Sequence, residues 1–221
     1  VPKDLPVFGK NYLPEHKIKL FAYFIAEGCI REYNYNDGNG TYKTVGFTSS
    51  NPDIQKDFTD CVHKMNCEVA WYGIDARVKN SNINKGKHNK NYVYQMLKEF
   101  GLWNKLSYDK TIPDDVFKLS KSQISLFLKV LFTCDGWINQ GTDKQIGFGV
   151  ANEQLARQVH SLLTRFGIVS RLSFGKNLKK GSWTVSISDV ENIIKFSKEI
   201  GFLFEKQNKM KTIISKYCSN F

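Results

Sequence analysis

The sequence predicts an α+β fold of two αββαββα halves related by pseudo-twofold symmetry, divided as 1–115 and 116–221. Three observations lead there. One order of segments occurs twice, each copy holds an apolar helical run closed by an acid and a glycine, and the strand-like runs alternate with one apolar face.

The repeat shows in pairs of segments. Val45-Gly46-Phe47-Thr48-Ser49-Ser50-Asn51 is answered 101 residues later by Ile146-Gly147-Phe148-Gly149-Val150-Ala151-Asn152. Each reads as a strand end, a short turn and an Asn N-cap before a helix. Pro52 fits the first helical position, where its missing N–H costs nothing. The helices are expected to run to Met65 and Phe166, with Asn66 and Gly167 just past their ends. Lys98-Glu99-Phe100-Gly101-Leu102 matches Lys198-Glu199-Ile200-Gly201-Phe202, and Lys110-Thr111-Ile112 matches Lys211-Thr212-Ile213.

The first helix of each half comes from Leu20-Phe21-Ala22-Tyr23-Phe24-Ile25-Ala26-Glu27-Gly28 and Leu128-Lys129-Val130-Leu131-Phe132-Thr133-Cys134-Asp135-Gly136. Pro14 opens one; Ser120 with Gln123 forms a capping box for the other. Gly28 and Gly136 are expected in the left-handed position past a helix end. Strands follow from alternation. Ile74, Ala76 and Val78 alternate with Asp75, Arg77 and Lys79, and Trp183, Val185 and Ile187 with Ser182, Thr184 and Ser186. Period two with one apolar face means antiparallel sheets covered on one side.

Lys and Arg number 32 against 21 Asp and Glu, a net charge of +11, and 41% of residues are hydrophobic. The chain can build a core, and its charge calls for a polyanion: nucleic acid or an anionic membrane. No apolar run of about 18 residues is present to span a bilayer. The opening VPKDLPVFGK lacks the apolar stretch of a secretory signal. Cys29, Cys61, Cys67, Cys134 and Cys218 include no C-x-x-C pair, as expected of an intracellular protein, cytoplasmic or organellar, that works with DNA. The histidines lack zinc-ligand spacing.

Glu27 and Asp135 carry the chemistry. Each would be the last residue of an apolar helix, where the negative helix end makes a carboxylate unfavourable by about 0.3–1 kcal/mol. Two such acids at matched places require cations. Ala22 and Ala26 in one helix, and Val130 and Cys134 in the other, form ridges that permit close helix packing. Oxygen donors, water and phosphate suit Mg²⁺, with Mn²⁺ as a substitute.

At these residues the chain resembles the LAGLIDADG, or dodecapeptide, homing endonucleases, single-chain type with two motifs. Glu27 and Asp135 stand at the metal-binding eighth position. The chain departs from the motif at the sixth position, Ile25 and Thr133 in place of Asp, and at the third, Ala22 and Val130 in place of Gly. The resemblance implies that the motif helices form the interface between the halves, and that the sheets form a saddle over DNA. It implies metal-dependent cutting of both strands across the minor groove, leaving 3′ overhangs. Metal ions would be held at Glu27 and Asp135 with the preceding Ala26 and Cys134. Asp109-Lys110-Thr111-Ile112-Pro113 resembles the family's Lys-x-Ile-Pro block of intein-type members, which makes Lys110 an active-site lysine. Its second-half counterpart is Lys209 by the repeat register, or Lys211 if the Lys-Thr-Ile match holds. The opening Val1-Pro2 to Phe8-Gly9 resembles the start of endonuclease domains within replicative-helicase inteins. Splicing chemistry is not expected, since no Cys or Ser leads the chain and no His-Asn closes it.

The expected partner is double-stranded DNA with a long, nearly unique target, bound by a monomer. Candidate contacts are Arg31, Tyr33, Lys43, Arg77 and Lys79 in the first half, and Lys144, Arg171 and Lys176 in the second. Lys85 and Lys87 lie in the polar, basic loop from Lys79 to Lys90. The alternative is a relative that binds DNA or RNA without cleavage, as maturases and transcription regulators do.

Overall fold

The structure is a computed structural model that describes residues 8–34, 41–80, 91–139, 141, 144–175 and 181–218. The chain forms two compact units. One is Pro14–Pro113; the other runs from Asp114 onward and includes the leading segment that ends at Leu13.

In the first unit, α1 (Glu15–Glu27), β1 (Gly28–Asn34), β2 (Thr41–Thr48), α2 (Pro52–His63), β3 (Cys67–Tyr72), β4 (Asp75–Asn80) and α3 (Tyr92–Glu99) follow in the expected order. In the second, α4 (Lys121–Asp135), β5 (Gly136–Asn139), β6 (Gln145–Val150), α5 (Glu153–Arg165), β7 (Arg171–Gly175), β8 (Ser182–Ile187) and α6 (Val190–Glu199) repeat it. A further helix, α7 (Phe204–Cys218), then closes the second unit and has no counterpart among the described residues of the first. The sheets have one antiparallel topology, β1-β2-β4-β3 and β5-β6-β8-β7. The fold class is therefore α+β with a duplicated αββαββα plan.

The caps explain the shared register. Asn51 Oδ1 accepts from the backbone N–H groups of Asp53 and Ile54 at 2.9 and 3.2 Å, and Asn152 Oδ1 accepts from Leu155 N–H at 3.1 Å. Asn66 and Gly167 take the expected left-handed conformation, φ 53° and 67°. Each core is an aromatic cluster, with Phe24 and Phe47 matched by Phe132 and Phe148. Phe47 stacks on Phe58 at 4.3 Å, with Phe24 edge-on at 5.6 Å. Phe132 packs against Phe148 at 5.3 Å and Phe196 at 5.0 Å. In the first unit α1 is also tied to α2 through Asp57, which accepts from Lys19 Nζ at 2.9 Å and Tyr23 Oη at 2.7 Å.

Three local expectations are corrected. Ser120 is the N-cap of α4 without a side-chain cap bond. Gln123 instead clasps Leu13, donating to its carbonyl at 2.6 Å and accepting from its N–H at 3.3 Å. Ile74 does not face the core: Trp71–Lys79 is a hairpin, turned at Gly73 (φ 63°), and Ile74 sits exposed at its tip. Gly28 and Gly136 are not left-handed. Both are extended, at φ −74°, ψ 136° and φ −81°, ψ 158°, so each helix passes straight into a strand. Glycine is needed there for close approach, because a Cβ would lie 2.5 Å from the Phe24 or Phe132 carbonyl oxygen.

Candidate functional site

Glu27 ends α1 and Asp135 ends α4, the first exposed and the second half-buried. Beneath each acid a lysine caps the helix end. Lys110, only 3% exposed, donates to the carbonyls of Ile25 at 3.3 Å and Gly28 at 2.7 Å. Lys206, in the first turn of α7, donates to the carbonyls of Thr133 at 2.6 Å, Cys134 at 3.2 Å and Gly136 at 2.6 Å. Ile25 and Thr133, like Gly28 and Gly136, are matched positions of the repeat. An ammonium is well suited to this end, which presents unbonded carbonyls and partial negative charge.

Lys206, and not Lys209, therefore answers Lys110. Lys209 is exposed and pairs with Glu205 at 2.8 Å, one turn earlier on α7. Lys211 is exposed on the same helix. The register misleads because the two routes differ. Lys110 lies on the non-helical stretch after Gly101, whereas α7 begins three residues after Gly201 and presents Lys206 within its first turn. Thr133 strengthens the second site: its hydroxyl donates to the Lys129 carbonyl at 2.6 Å and accepts from Leu203 N–H at 2.9 Å. Burial pushes the Lys206 pKa below the ordinary lysine value, against the pull of Cys134 and Asp135.

The compensating cation expected from outside is thus partly supplied by the chain. The carbonyl groups are neutralised by lysine, while no ion pair to Glu27 exists among the described residues. No cluster of three His, Cys, Asp or Glu side chains occurs among the described residues either. One carboxylate per helix end, with a backbone carbonyl before it, fits a hard divalent cation that takes its other oxygens from water and phosphate. The Cys134 carbonyl accepts from Lys206 Nζ at 3.2 Å.

Strand parity sorts the proposed contacts. The face opposite the core carries Arg31, Arg77 and Lys79 in the first sheet and Arg171 in the second, all exposed. Lys43 and Lys144 are corrected. Lys43 shares parity with the core residues Val45 and Phe47, as Lys144 does with Ile146 and Phe148. Both turn to the helical side, where Lys43 Nζ lies 4.9 Å from the Tyr94 ring centroid and Lys144 Nζ 4.1 Å from that of Tyr217. A cavity of about 500 Å³ beside Lys43 is lined by Val45, Val78 and Tyr94 among others. The Tyr33 side chain, Lys85, Lys87 and Lys176 lie outside the described residues.

Residues 122–201 match the family model described as the LAGLIDADG-like domain. This is a LAGLIDADG-fold chain. The fold of this chain is similar to that of I-DmoI, solved in complex with DNA and Mn, at TM-score 0.56 and 18% identity over 84% of this chain and 96% of that one. It is similar to the LAGLIDADG meganuclease I-AabMI bound to uncleaved DNA at TM-score 0.59, with 11% identity and 92% of each chain covered. It is also similar to full-length DUF199/WhiA from Thermatoga maritima, at TM-score 0.54 and 12% identity over 94% of this chain and 62% of that one. By sequence, 99% of this chain aligns at 25% identity with the replicative DNA helicase DnaB of Rhodothermus marinus. The chain spans about a quarter of that relative's length. Among the described residues no helix is long and apolar enough to cross a membrane.

Proposed function

We propose that the chain is a site-specific homing endonuclease that hydrolyses both strands of a DNA duplex across the minor groove and leaves 3′ overhangs. One observation carries this reading: each unit ends its first helix in an acid whose helix end is held by a lysine, Glu27 with Lys110 and Asp135 with Lys206. A scaffold that only binds phosphate gains nothing from carboxylates at its working face.

Glu27 and Asp135, with the carbonyls of Ala26 and Cys134, would hold divalent cations, Mg²⁺ or Mn²⁺. Such ions, when bound, stabilise charge on phosphate oxygens and make water a nucleophile at neutral pH. The chain's own residues do the rest. The carboxylates orient the ions and are not required as general bases. Lys110 and Lys206 act as positioning residues: they occupy the helix-end carbonyls and set the direction in which each acid leaves its helix. Arg31, Arg77, Lys79 and Arg171 take phosphates and base edges along a long target.

The alignment with a quarter of a replicative helicase supports an origin as an inserted element, whether within an intein or an intron. The first substrate to try is accordingly a plasmid with a helicase coding sequence that lacks the insertion. With Mg²⁺, discrete linear fragments with 3′ overhangs are expected, and none in excess EDTA. Cutting undiminished by EDTA defeats the metal reading. A second reading is a binder without cleavage. Duplex binding with no product in Mg²⁺ or Mn²⁺ on any insertion-free plasmid selects it.

A further inference from the structure

The face of the second sheet opposite its core carries an indole. Trp137 on β5 stands directly across from Gly147 on β6 and is 37% exposed. Its ring lies over Gly147 and Gly149. A Cβ on Gly147 would come within 2.0 Å of Trp137 Cζ2, and one on Gly149 within 3.4 Å of Cζ3. Glycine weakens a strand interior and marks a place of close approach. Here Gly147 makes the seat, since a side chain there would collide with the ring, while Gly149 borders it at contact distance.

Beyond the seat the face is hydroxyl-lined: Gly147 pairs with Ser186 and Gly149 with Thr184 on β8. The other unit is built differently. Cys29 stands where Trp137 does, across from Gly46, and Arg77 flanks that glycine on the far side. At the position beside this glycine, the second sheet offers an apolar ring where the first offers a thiol.

We propose that Trp137 selects thymine, its exposed edge covering the 5-methyl group in the major groove. The inference rests on the duplex-binding reading above. An uncharged indole neutralises no phosphate, and within a duplex the base faces are stacked out of its reach. The apolar feature displayed in the major groove is the thymine methyl. Pinning the ring beforehand lowers the ordering cost of the contact.

The test uses the whole chain and a duplex that it recovers from a randomised pool without divalent metal, so that binding is read. Each thymine is replaced in turn by deoxyuridine, which removes the methyl alone. Affinity should fall about four-fold at one thymine or two adjacent ones, the loss expected for uncovering a methyl. Trp137→Ala should bind the recovered duplex more weakly and lose this methyl dependence. Trp137→Phe, which keeps a ring over the glycines, should retain part of it, and carries the test if the alanine variant melts early. Methyl dependence unchanged in both variants overturns the inference. So does a parent chain that is indifferent to every deoxyuridine, or a recovered duplex without thymine. If the parent recovers no duplex, the reading of the chain as a DNA-binding protein fails, and this inference with it.

Discussion

The Lys206 ammonium donates to the Gly136 carbonyl at 2.6 Å, one residue beyond Asp135. Lys206→Ala leaves the carbonyls of Thr133, Cys134 and Gly136 without that donor, at an expected cost of about 1–3 kcal/mol. It should also slow cleavage far more than it weakens duplex binding, as should Lys110→Ala. Lys209→Ala removes an exposed pair one turn away and should melt and cut like the parent. Thermal melts with cleavage rates check this. The assignment fails if the Lys209 variant is the impaired one.

The same lysine sets a pH dependence. Its folded pKa lies below the ordinary 10.5, chiefly through burial. Below the depressed value both the folded and unfolded chains hold the proton, and this group contributes no slope. Between that value and 10.5 the unfolded chain binds more protons, so stability rises with pH. Urea unfolding from neutral pH to 10.5, read as parent minus Lys206→Met, should show a difference that grows in favour of the parent. A flat or falling difference contradicts the burial.

Gly28 and Gly136 separate two meanings of glycine. In a left-handed cap, asparagine would substitute well. In these extended positions any Cβ meets a helix carbonyl at 2.5 Å. Gly28→Ala and Gly28→Asn should therefore be equally poor, each costing about 1–3 kcal/mol from overpacking. Rescue by asparagine in chemical unfolding would show that the chain needs a left-handed residue there.

Salt dependence distinguishes the strand faces. Arg77→Ala and Lys79→Ala should each reduce the slope of log affinity against log salt by about 1. Lys43→Ala, which lies over Tyr94 on the helical side, should leave the slope as it was. Equal effects from all three would refute the division by parity.

Glu27→Gln and Asp135→Asn should each abolish double-strand cleavage. Because lysines already cap both helix ends, metal-free melting should stay level or rise by at most a few degrees on relief of about 1 kcal/mol or less. Mg²⁺ should raise the melting temperature of the parent and not of the double variant, since an ion that binds the folded state stabilises it. Variants that melt lower without metal yet still cut would make the carboxylates structural.

What was legible in the sequence was local or repeated. Asn51 and Asn152 declared their caps, and Glu27 and Asp135 declared two equivalent helix ends. Lys43 shows a limit: its parity with Val45 and Phe47 was on view, but basic charge drew it to the wrong face. Ile74 fits an alternating strand until Gly73 is seen to turn the chain. Lys206 was hidden for a different reason. A repeat register holds within an element and slips across loops of unequal length, so the lysine that reaches a given carbonyl is set by the path of α7 and not by sequence offset.

The clasp between Gln123 and Leu13 bears on how the chain is made. Gly9 N–H donates to the Leu119 carbonyl at 2.9 Å and Asn11 N–H to the Lys118 carbonyl at 3.1 Å, so the leading segment finds its partners only after the whole first unit has been synthesised. On the ribosome, Pro14–Pro113 can close its own core while the residues before it wait without partners. The C-terminal unit is the late one, and it is completed by residues made before the first unit. A split of the gene at the junction of the two units would leave the second fragment without this segment, whereas the segment supplied in trans should restore its amide protection.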